Sequence, residues 1–415
     1  MRILLINQYA GGPPYGMEYR PYHLAQEWLR GGHEVAIVSG TFSHLRFRNP
    51  GKLETRNRQE MDGINLIWLP VPKYRGNGGA RASNIITFAV RLLAASARLA
   101  RELRPNVVIT SSTHPLDIYG GGRIARLAGS VLVHEVHDLW PLTLVELGGM
   151  WRQHPFVLLL QAAENRAYRT ADHVVSILPA ALSYMQQHGL EPRRFTHVPN
   201  GVAVADWERP QPLPPQHAAE LDRLTARSAF IVGYAGGFAP SDDLESLLKS
   251  LSQIRDQDVH LVLVGDGTCR RELQQRYAGE RIIFLPPLPK AAIPSLLSRF
   301  HVCFVGYKRS PLYRFGVNPN KVFDYMMAAK PILSAIEAAN DPVTASGAGI
   351  NVLPEKPSAI ATGITILAGE SVQERARRGE LGRRYVLEHH DYRLLARLFL
   401  EAIQRPPGIE AGLRL

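Results

Sequence analysis

Twice along this chain a short apolar run leads into a glycine-containing loop and then into a helix-type pattern. The first such unit runs through 2–9, the loop 8–16 and a helical stretch at 20–31 that Gly31-Gly32 ends. The second runs through 230–235, the loop containing Gly236 and Gly237, and a helical stretch at 243–254. Strands alternating with helices in this way imply parallel βαβ units and doubly wound sheets. Further strand-like runs at 33–40, 64–71, 107–112, 131–138 and 174–178 extend the first half, with a long helix within 82–103. Runs at 259–265, 282–285, 302–306, 331–335 and 350–353 extend the second.

The expected fold class is therefore α/β, with two Rossmann-like doubly wound domains. The expected boundaries are 1–205 and 229–385, joined by a linker at 206–228 whose stretch 209–215 is dense in proline. The amphipathic pattern of 392–403, with Leu394, Leu395, Leu398, Phe399 and Ile403 on one side, predicts a C-terminal helix over about 386–405 that crosses back to the first domain. Open sheets of this kind bind ligands beyond the carboxyl ends of their strands. Two of them facing each other would enclose a cleft, so residues just after strands are the functional candidates.

Composition narrows the class. Apolar residues make up 45% of the 415 and charged residues 20%, an ordinary globular balance. The two cysteines, Cys269 and Cys303, supply neither a disulfide framework nor a zinc spacing, which points to a reducing compartment. The start reads as a first strand rather than a signal peptide, and no uninterrupted apolar stretch approaches the ~18 residues of a membrane span. A soluble or peripheral cytoplasmic protein is expected. The net charge of +11 is uneven, with 22 Lys and Arg against 14 Asp and Glu in residues 1–200. That excess suits an anionic partner. The basic residues lack a nucleic-acid module or a stacking-aromatic pattern, so nucleic acid is not expected.

Several post-strand segments carry chemistry. Gly11 and Gly12, within Gln8–Gly16, either let the backbone approach a ligand or form a plain flexible loop. Gly236 and Gly237 hold the equivalent place in the second half and suit a phosphate. Gly265-Asp266-Gly267 ends an apolar strand and fits a base or ribose, or a simple turn. Pro319-Asn320-Lys321-Val322-Phe323-Asp324 reads as a loop entering a helix. There Lys321 adds a point charge to the helix N-terminus, which suits a diphosphate, and Asp324 one turn later can accept from ribose hydroxyls. His114, in Ser111-Ser112-Thr113-His114-Pro115, can bond a sugar, shuttle a proton or cap a helix. The spacing of His134, Glu135 and His137 hints at a metal, but no third ligand follows, so an acceptor-side role for His137 or Asp138 fits better. Asp256-Gln257-Asp258 matches the Asp-x-Asp pattern of metal-dependent sugar transferases. It precedes its strand, on the wrong side for a cleft, and reads as a solvated turn. No metal or cofactor is expected.

Taken in order, these residues resemble the GT-B glycosyltransferases of family 4. Within it the chain is similar to the branch of bacterial L-fucosamine-type transferases that build surface polysaccharides. The segments that carry the resemblance are Tyr15–Ala25, Gly32-His33-Glu34-Val35, Asp138-Leu139-Trp140-Pro141, Pro199-Asn200-Gly201-Val202, Val264-Gly265-Asp266-Gly267 and Pro319–Tyr325. The resemblance implies a retaining, metal-independent transfer, with the nucleotide-sugar donor in the C-terminal domain and the acceptor on the N-terminal side, near Glu18 and Arg20. Asp324 matches the second acid of the family's Glu-x7-Glu motif, but the first falls on Gly316. The family's usual basic pair falls near Gly237 and Asp242. His114 matches the His beside the reacting centre, and Gly11 and Gly12 match the loop facing donor and acceptor. The departures at 316, 237 and 242 keep open an inactive scaffold of a polysaccharide assembly complex; a nucleotide-sugar epimerase is a further alternative, against which the acceptor-side match at 15–25 argues.

A membrane is the last expected partner. Residues 80–104 place Arg81, Arg91, Arg98, Arg101 and Arg104 beside Ile85, Ile86, Phe88, Leu92, Leu93 and Leu99, and the stretch 151–160 adds Trp151, Phe156 and three leucines. A basic amphipathic helix can lie on an anionic bilayer, or simply pack on a core with a solvated basic edge. A lipid-diphosphate-linked saccharide acceptor would explain the first arrangement.

Overall fold

The computed structural model describes the chain except for Met17, 52–56, Asn77, Gln257 and 405–415. It divides into two units, Met1–Asn200 with the segment from Tyr392, and Gly201–Asp391.

The first unit is built on eight strands: β1 (Arg2–Ile6), β2 (Glu34–Gly40), β3 (Arg58–Met61), β4 (Ile64–Leu69), β5 (Val107–Thr110), β6 (Val131–Val136), β7 (His173–Ser176) and β8 (Phe195–His197). Their order is β3-β4-β2-β1-β5-β6-β7-β8, with only β3 antiparallel to its neighbour. β1 stops at Ile6, short of the expected Tyr9, because the Asn7 side chain turns back to accept from the Tyr9 N–H at 2.9 Å. β3 and β8 were not expected. β3 reads Arg-Gln-Glu-Met with only Met61 buried, an edge strand without an apolar signal, and β8 has three half-buried residues.

The second unit holds β9 (Phe230–Ala235), β10 (Val259–Val264), β11 (Ile282–Leu285), β12 (Val302–Gly306), β13 (Ile332–Ala335) and β14 (Gly349–Asn351). All its pairings are parallel, in the order β11-β10-β9-β12-β13-β14. β10 and β12 are buried at every position, as central strands covered on both faces must be. Val262, Cys303 and Val305 pack into one core layer, and Leu261, Leu263 and Phe304 into the other.

The expected linker does not exist as one. Residues 206–228 contain the helix Pro215–Ala226, with Leu221 and Leu224 fully buried in the core of the second unit. Pro214 and Pro215 stand where a helix starts, a place that tolerates the missing N–H. The proline density therefore marks a helix start. The C-terminal crossover is shorter than expected. Residues 386–389 finish the helix Val372–His389 of the second unit, and Tyr392–Gln404 forms a separate helix of the first. There Phe399 meets Trp28 edge-on, and the Trp28 indole donates to the Ala396 carbonyl at 3.1 Å. Position 405 of the expected range lies outside the described residues.

The helix Gly79–Leu103 turns Ile85, Phe88, Leu92 and Leu99 into the core and leaves Ile86, Val90 and Leu93 exposed among its arginines. By length and composition it alone among the described helices is apolar and long enough to cross a membrane. In the structure it packs along the helix Asp117–Ala128.

Candidate functional site

In each sheet the strand order reverses once, and the crevice at such a reversal is where open α/β sheets take ligands. In the second unit the reversal lies between β9 and β12. Lys321, the second residue of the helix Asn320–Met327, reaches into it. Its ammonium sits 4.6 Å from the ring centre of Tyr234 on β9 and 5.6 Å from that of Tyr307, which follows β12. It donates to the Tyr234 hydroxyl at 2.8 Å and to Asp242 Oδ1 at 3.0 Å. The Tyr325 hydroxyl, one turn along the same helix, accepts from the Ala235 N–H at 3.0 Å and anchors the helix to the end of β9. Burial pushes the Lys321 ammonium below its usual range, and Asp242 opposes that shift. This is a caged cation at the reversal of the second sheet.

The expected donor residues fall around it in different ways. Gly236 makes room for the lysine, since a Cβ there would lie 3.4 Å from Lys321 Nζ. The expected supply of free N–H groups for phosphate is not met at Gly236, which donates to Val264 O at 3.0 Å, nor at Phe238, which donates to Asp266 O at 3.0 Å. Two post-strand loops are thus zipped backbone to backbone. Gly237 has open space beside it. Asp266 is exposed, and its carboxylate accepts from the Gly267 N–H at 2.8 Å. Gly265 is held at φ +144°, where a Cβ would come 1.8 Å from Gly236 O. Gly265→Ala must therefore pry the two loops apart. We expect a loss of about 3 kcal/mol, or roughly 6–12 °C in Tm for a unit of this size. Gly237→Ala should leave Tm unchanged; equal melting of the two variants would contradict the zipped-loop reading.

Val322 is not a donor ligand by its side chain, which is buried in the core, and its N–H donates to Pro319 O at 3.1 Å. Pro319 is the N-cap and Asn320 the first, exposed helical residue. Asp324 shares the face of Lys321 and is bridged by Lys290 Nζ at 3.1 Å and 3.2 Å, a partner that sequence reasoning missed. The unexpected glycine at 316 also has a backbone reason: it ends the turn Pro311–Phe315 at φ +95°, which disfavours a Glu.

In the first unit the reversal lies between β1 and β5, and a buried polar network fills it. Asn7 donates to Ser111 O at 2.8 Å, and Ser111 Oγ donates to Glu135. His137 Nε2 lies 2.9 Å from Ser111 Oγ and 3.3 Å from Glu135 Oε2. Arg20 Nε bonds Glu135 Oε1 at 2.9 Å, and the rest of its guanidinium donates to the carbonyls of Val198 and Pro199. Burial alone would raise the Glu135 carboxyl, but Arg20 and His137 overcome it and hold it well below the usual carboxylate range. Burial would lower the half-buried His137 imidazole, but Glu135 overcomes it and holds the ring above its usual range. Glu18 accepts from Asn7 Nδ2 at 3.3 Å, and Asp138 is exposed.

Three expectations for this unit need correction. Arg20 is almost wholly buried and saturated by Glu135 and backbone carbonyls, so it holds the network together and does not face a ligand. Gly11 and Gly12 spend their N–H groups inside their own loop, on Glu18 O at 3.2 Å and Gly16 O at 3.0 Å. His114 has no exposed surface, its ring meets Tyr9 and Phe88 edge-on, and burial lowers its pKa to about 3. In this structure the enclosed imidazole offers no surface to a sugar. Its Nε2–H is directed at Gln8 Oε1, and Gln8 is held by Asn84, so it braces the loop beneath the crevice.

Among the described residues no group of three or more His, Cys, Asp or Glu could hold a metal ion. Asp256 and Asp258 sit before β10 with the Asp258 N–H on Asp256 Oδ1, as the turn reading expects, and Gln257 lies outside the described residues. Met17, within the resemblance at Tyr15–Ala25, does too.

Residues 15–201 match the Glycosyl transferase 4-like domain family, and residues 229–370 match the Glycosyl transferases group 1 family. The chain is a GT-B glycosyltransferase. Solved structures agree on the fold. The sucrose-phosphate synthase of Thermosynechococcus elongatus superposes with a TM-score of 0.72 at 16% identity, covering 96% of this chain and 97% of its own. HepE of Anabaena in complex with UDP gives 0.68 at 17%, covering 97% and 99%. An E. coli trehalose-6-phosphate protein bound with UDP-2-fluoro glucose gives 0.72 at 12%, covering 98% and 100%. No curated protein matches the chain by sequence. In this glycosyltransferase the group 1 match spans β9 to β14 and so contains the Lys321 cage, while the 4-like match contains Arg20, Ser111, Glu135 and His137.

Proposed function

We propose that this glycosyltransferase takes a sugar from a UDP-linked donor held in the second unit. The observation that carries the reading is the caged ammonium of Lys321 at the β9/β12 reversal. A diphosphate placed there meets a fixed cation, and Asp324 on the next turn faces the ribose with Lys290 beside it. The UDP and UDP-sugar held by fold neighbours support this nucleotide.

The transfer retains configuration and needs no metal. The anomeric carbon–oxygen bond to the diphosphate breaks as the acceptor hydroxyl oxygen bonds the same face. The hydroxyl proton passes to the departing diphosphate oxygen, and Lys321 balances its charge. On the acceptor side, His137, Glu18 and Asp138 face the saccharide acceptor, with Arg20 and His114 as supports.

The sugar is an N-acetylated amino or deoxy sugar of the L-fucosamine type, and the acceptor a lipid-diphosphate-linked saccharide of surface polysaccharide synthesis. The enzyme works at the inner face of the cytoplasmic membrane. Support for that placement is the exposed row Ile86, Val90 and Leu93 among arginines, with Trp151, Leu158 and Leu159 exposed in the same unit. A fold neighbour, WaaG, is a glycosyltransferase involved in lipopolysaccharide biosynthesis.

Thermal melting with UDP, GDP, CMP, ADP and NAD tests the donor. UDP alone should raise Tm, by ~2.7 kcal/mol of linkage at a hundred times its Kd. A rise with GDP or ADP instead would change the nucleotide, and a rise with NAD alone or with none would overturn the transferase reading.

A further inference from the structure

Asp242 occupies a place where a base was expected, and the structure gives it a different task. It is buried on the loop before the helix Leu244–Ser250. Its Oδ2 accepts from the Ala239 N–H at 3.0 Å and its own N–H donates to Ala239 O at 3.0 Å, so the carboxylate is pinned by a closed turn. Its Oδ1 then takes one donor of the Lys321 ammonium, and the Tyr234 hydroxyl takes a second. An ammonium has three. Gly236 lies beside the ammonium, where a Cβ would come 3.4 Å from Lys321 Nζ.

We propose that Asp242 is the positioning residue of the donor site, the counter-charge that keeps Lys321 protonated and aims its third N–H at the donor diphosphate. This inference rests on the donor reading above. The groups facing the ammonium are Asp242 from the loop, the Tyr234 hydroxyl from β9 and the Tyr307 ring after β12. Both tyrosine hydroxyls are held neutral by burial, so Asp242 is the anion that offsets the desolvation of the lysine. An ammonium removed from water loses its proton readily unless an opposite charge adjoins it. Without Asp242 the lysine would sit in the same cage with its desolvation unopposed.

The sign follows. A lysine binds a diphosphate only while protonated, so affinity falls as pH rises through its pKa. Removing the carboxylate lowers that pKa, and the fall begins at a lower pH. The test is a calorimetric UDP titration from about pH 6.5 to 9.5, the range below the usual lysine value. Wild type should bind UDP with a nearly flat profile. Asp242→Asn, which removes the charge and keeps the shape, should bind within a few-fold of wild type at the low end and lose affinity about tenfold per pH unit above its lowered midpoint. Asp242→Ala should show the same displaced midpoint and serves if the Asn variant fails to fold. Tyr234→Phe should weaken binding a few-fold at every pH, with the midpoint unmoved.

Asp242 variants that track wild type at all pH values would overturn the proposal. So would a uniform loss across the range, which is what a purely structural role gives. If Lys321→Ala binds UDP as wild type does, the donor reading itself fails, and that result is distinct from any pH profile of the Asp242 variants.

Discussion

Lys321→Ala is expected to weaken UDP binding about a hundredfold, close to 3 kcal/mol, and to slow transfer about a thousandfold. The two effects differ because the charge on the leaving diphosphate grows as the sugar departs. A cation held at a fixed point then contributes more to the transition state than to the bound donor. The cage explains why no other side chain should substitute. Tyr234 and Tyr307 enclose the ammonium with ring faces and Gly236 gives it room, so a shorter side chain leaves a gap that the neighbouring glycines cannot fill. Alanine also leaves Asp242 buried without its cation. The double variant Lys321→Ala/Asp242→Asn should restore Tm without restoring UDP affinity. Calorimetry and a melting scan read the two separately, and a single variant that keeps near-normal affinity would remove the central assignment.

Arg20→Ala is expected to cost about 3–5 kcal/mol of stability, the range for breaking a buried ion pair from one side. Glu135 is fully buried, and Arg20 supplies its nearest full charge at 2.9 Å while tying β6 to the chain after β8. Removing the guanidinium leaves the carboxylate with only Ser111 and His137 and takes the donor from two carbonyls. Glu135→Gln alongside Arg20→Ala should recover part of the loss, because a neutral amide costs less to bury than an unpaired charge. A melting scan that finds Arg20→Ala within 1 °C of wild type would contradict the structural role and return Arg20 to the ligand side.

What the sequence disclosed follows from what it encodes locally. The β9 and β10 runs, the glycine loops after them and the entry of Lys321 into its helix are all set by neighbours a few residues apart, and each was legible. The partners were not. Lys321 meets Tyr234 and Asp242 about eighty residues away in the chain, and Arg20 meets Glu135 across more than a hundred. No local pattern registers such pairs, so Asp242 read as a lost base and Arg20 as a ligand residue. His114 was legible as a post-strand residue but its burial depends on Tyr9, Phe88 and Gln8, which close over it only in the fold. Gly316 read as a missing acid because a motif compares residue types, while the φ of +95° that favours glycine there is a property of the turn. The proline-dense segment misled for a related reason, since proline opens helices as well as breaking them.

A crystal structure of this enzyme with UDP tests the assignment of Lys321 most directly. A diphosphate oxygen should lie within hydrogen-bond distance of Lys321 Nζ, with Asp242 still bonded to that nitrogen and the ribose hydroxyls at Asp324. UDP bound away from Lys321, or bound only to the unit that holds the Glu135 network, would contradict it.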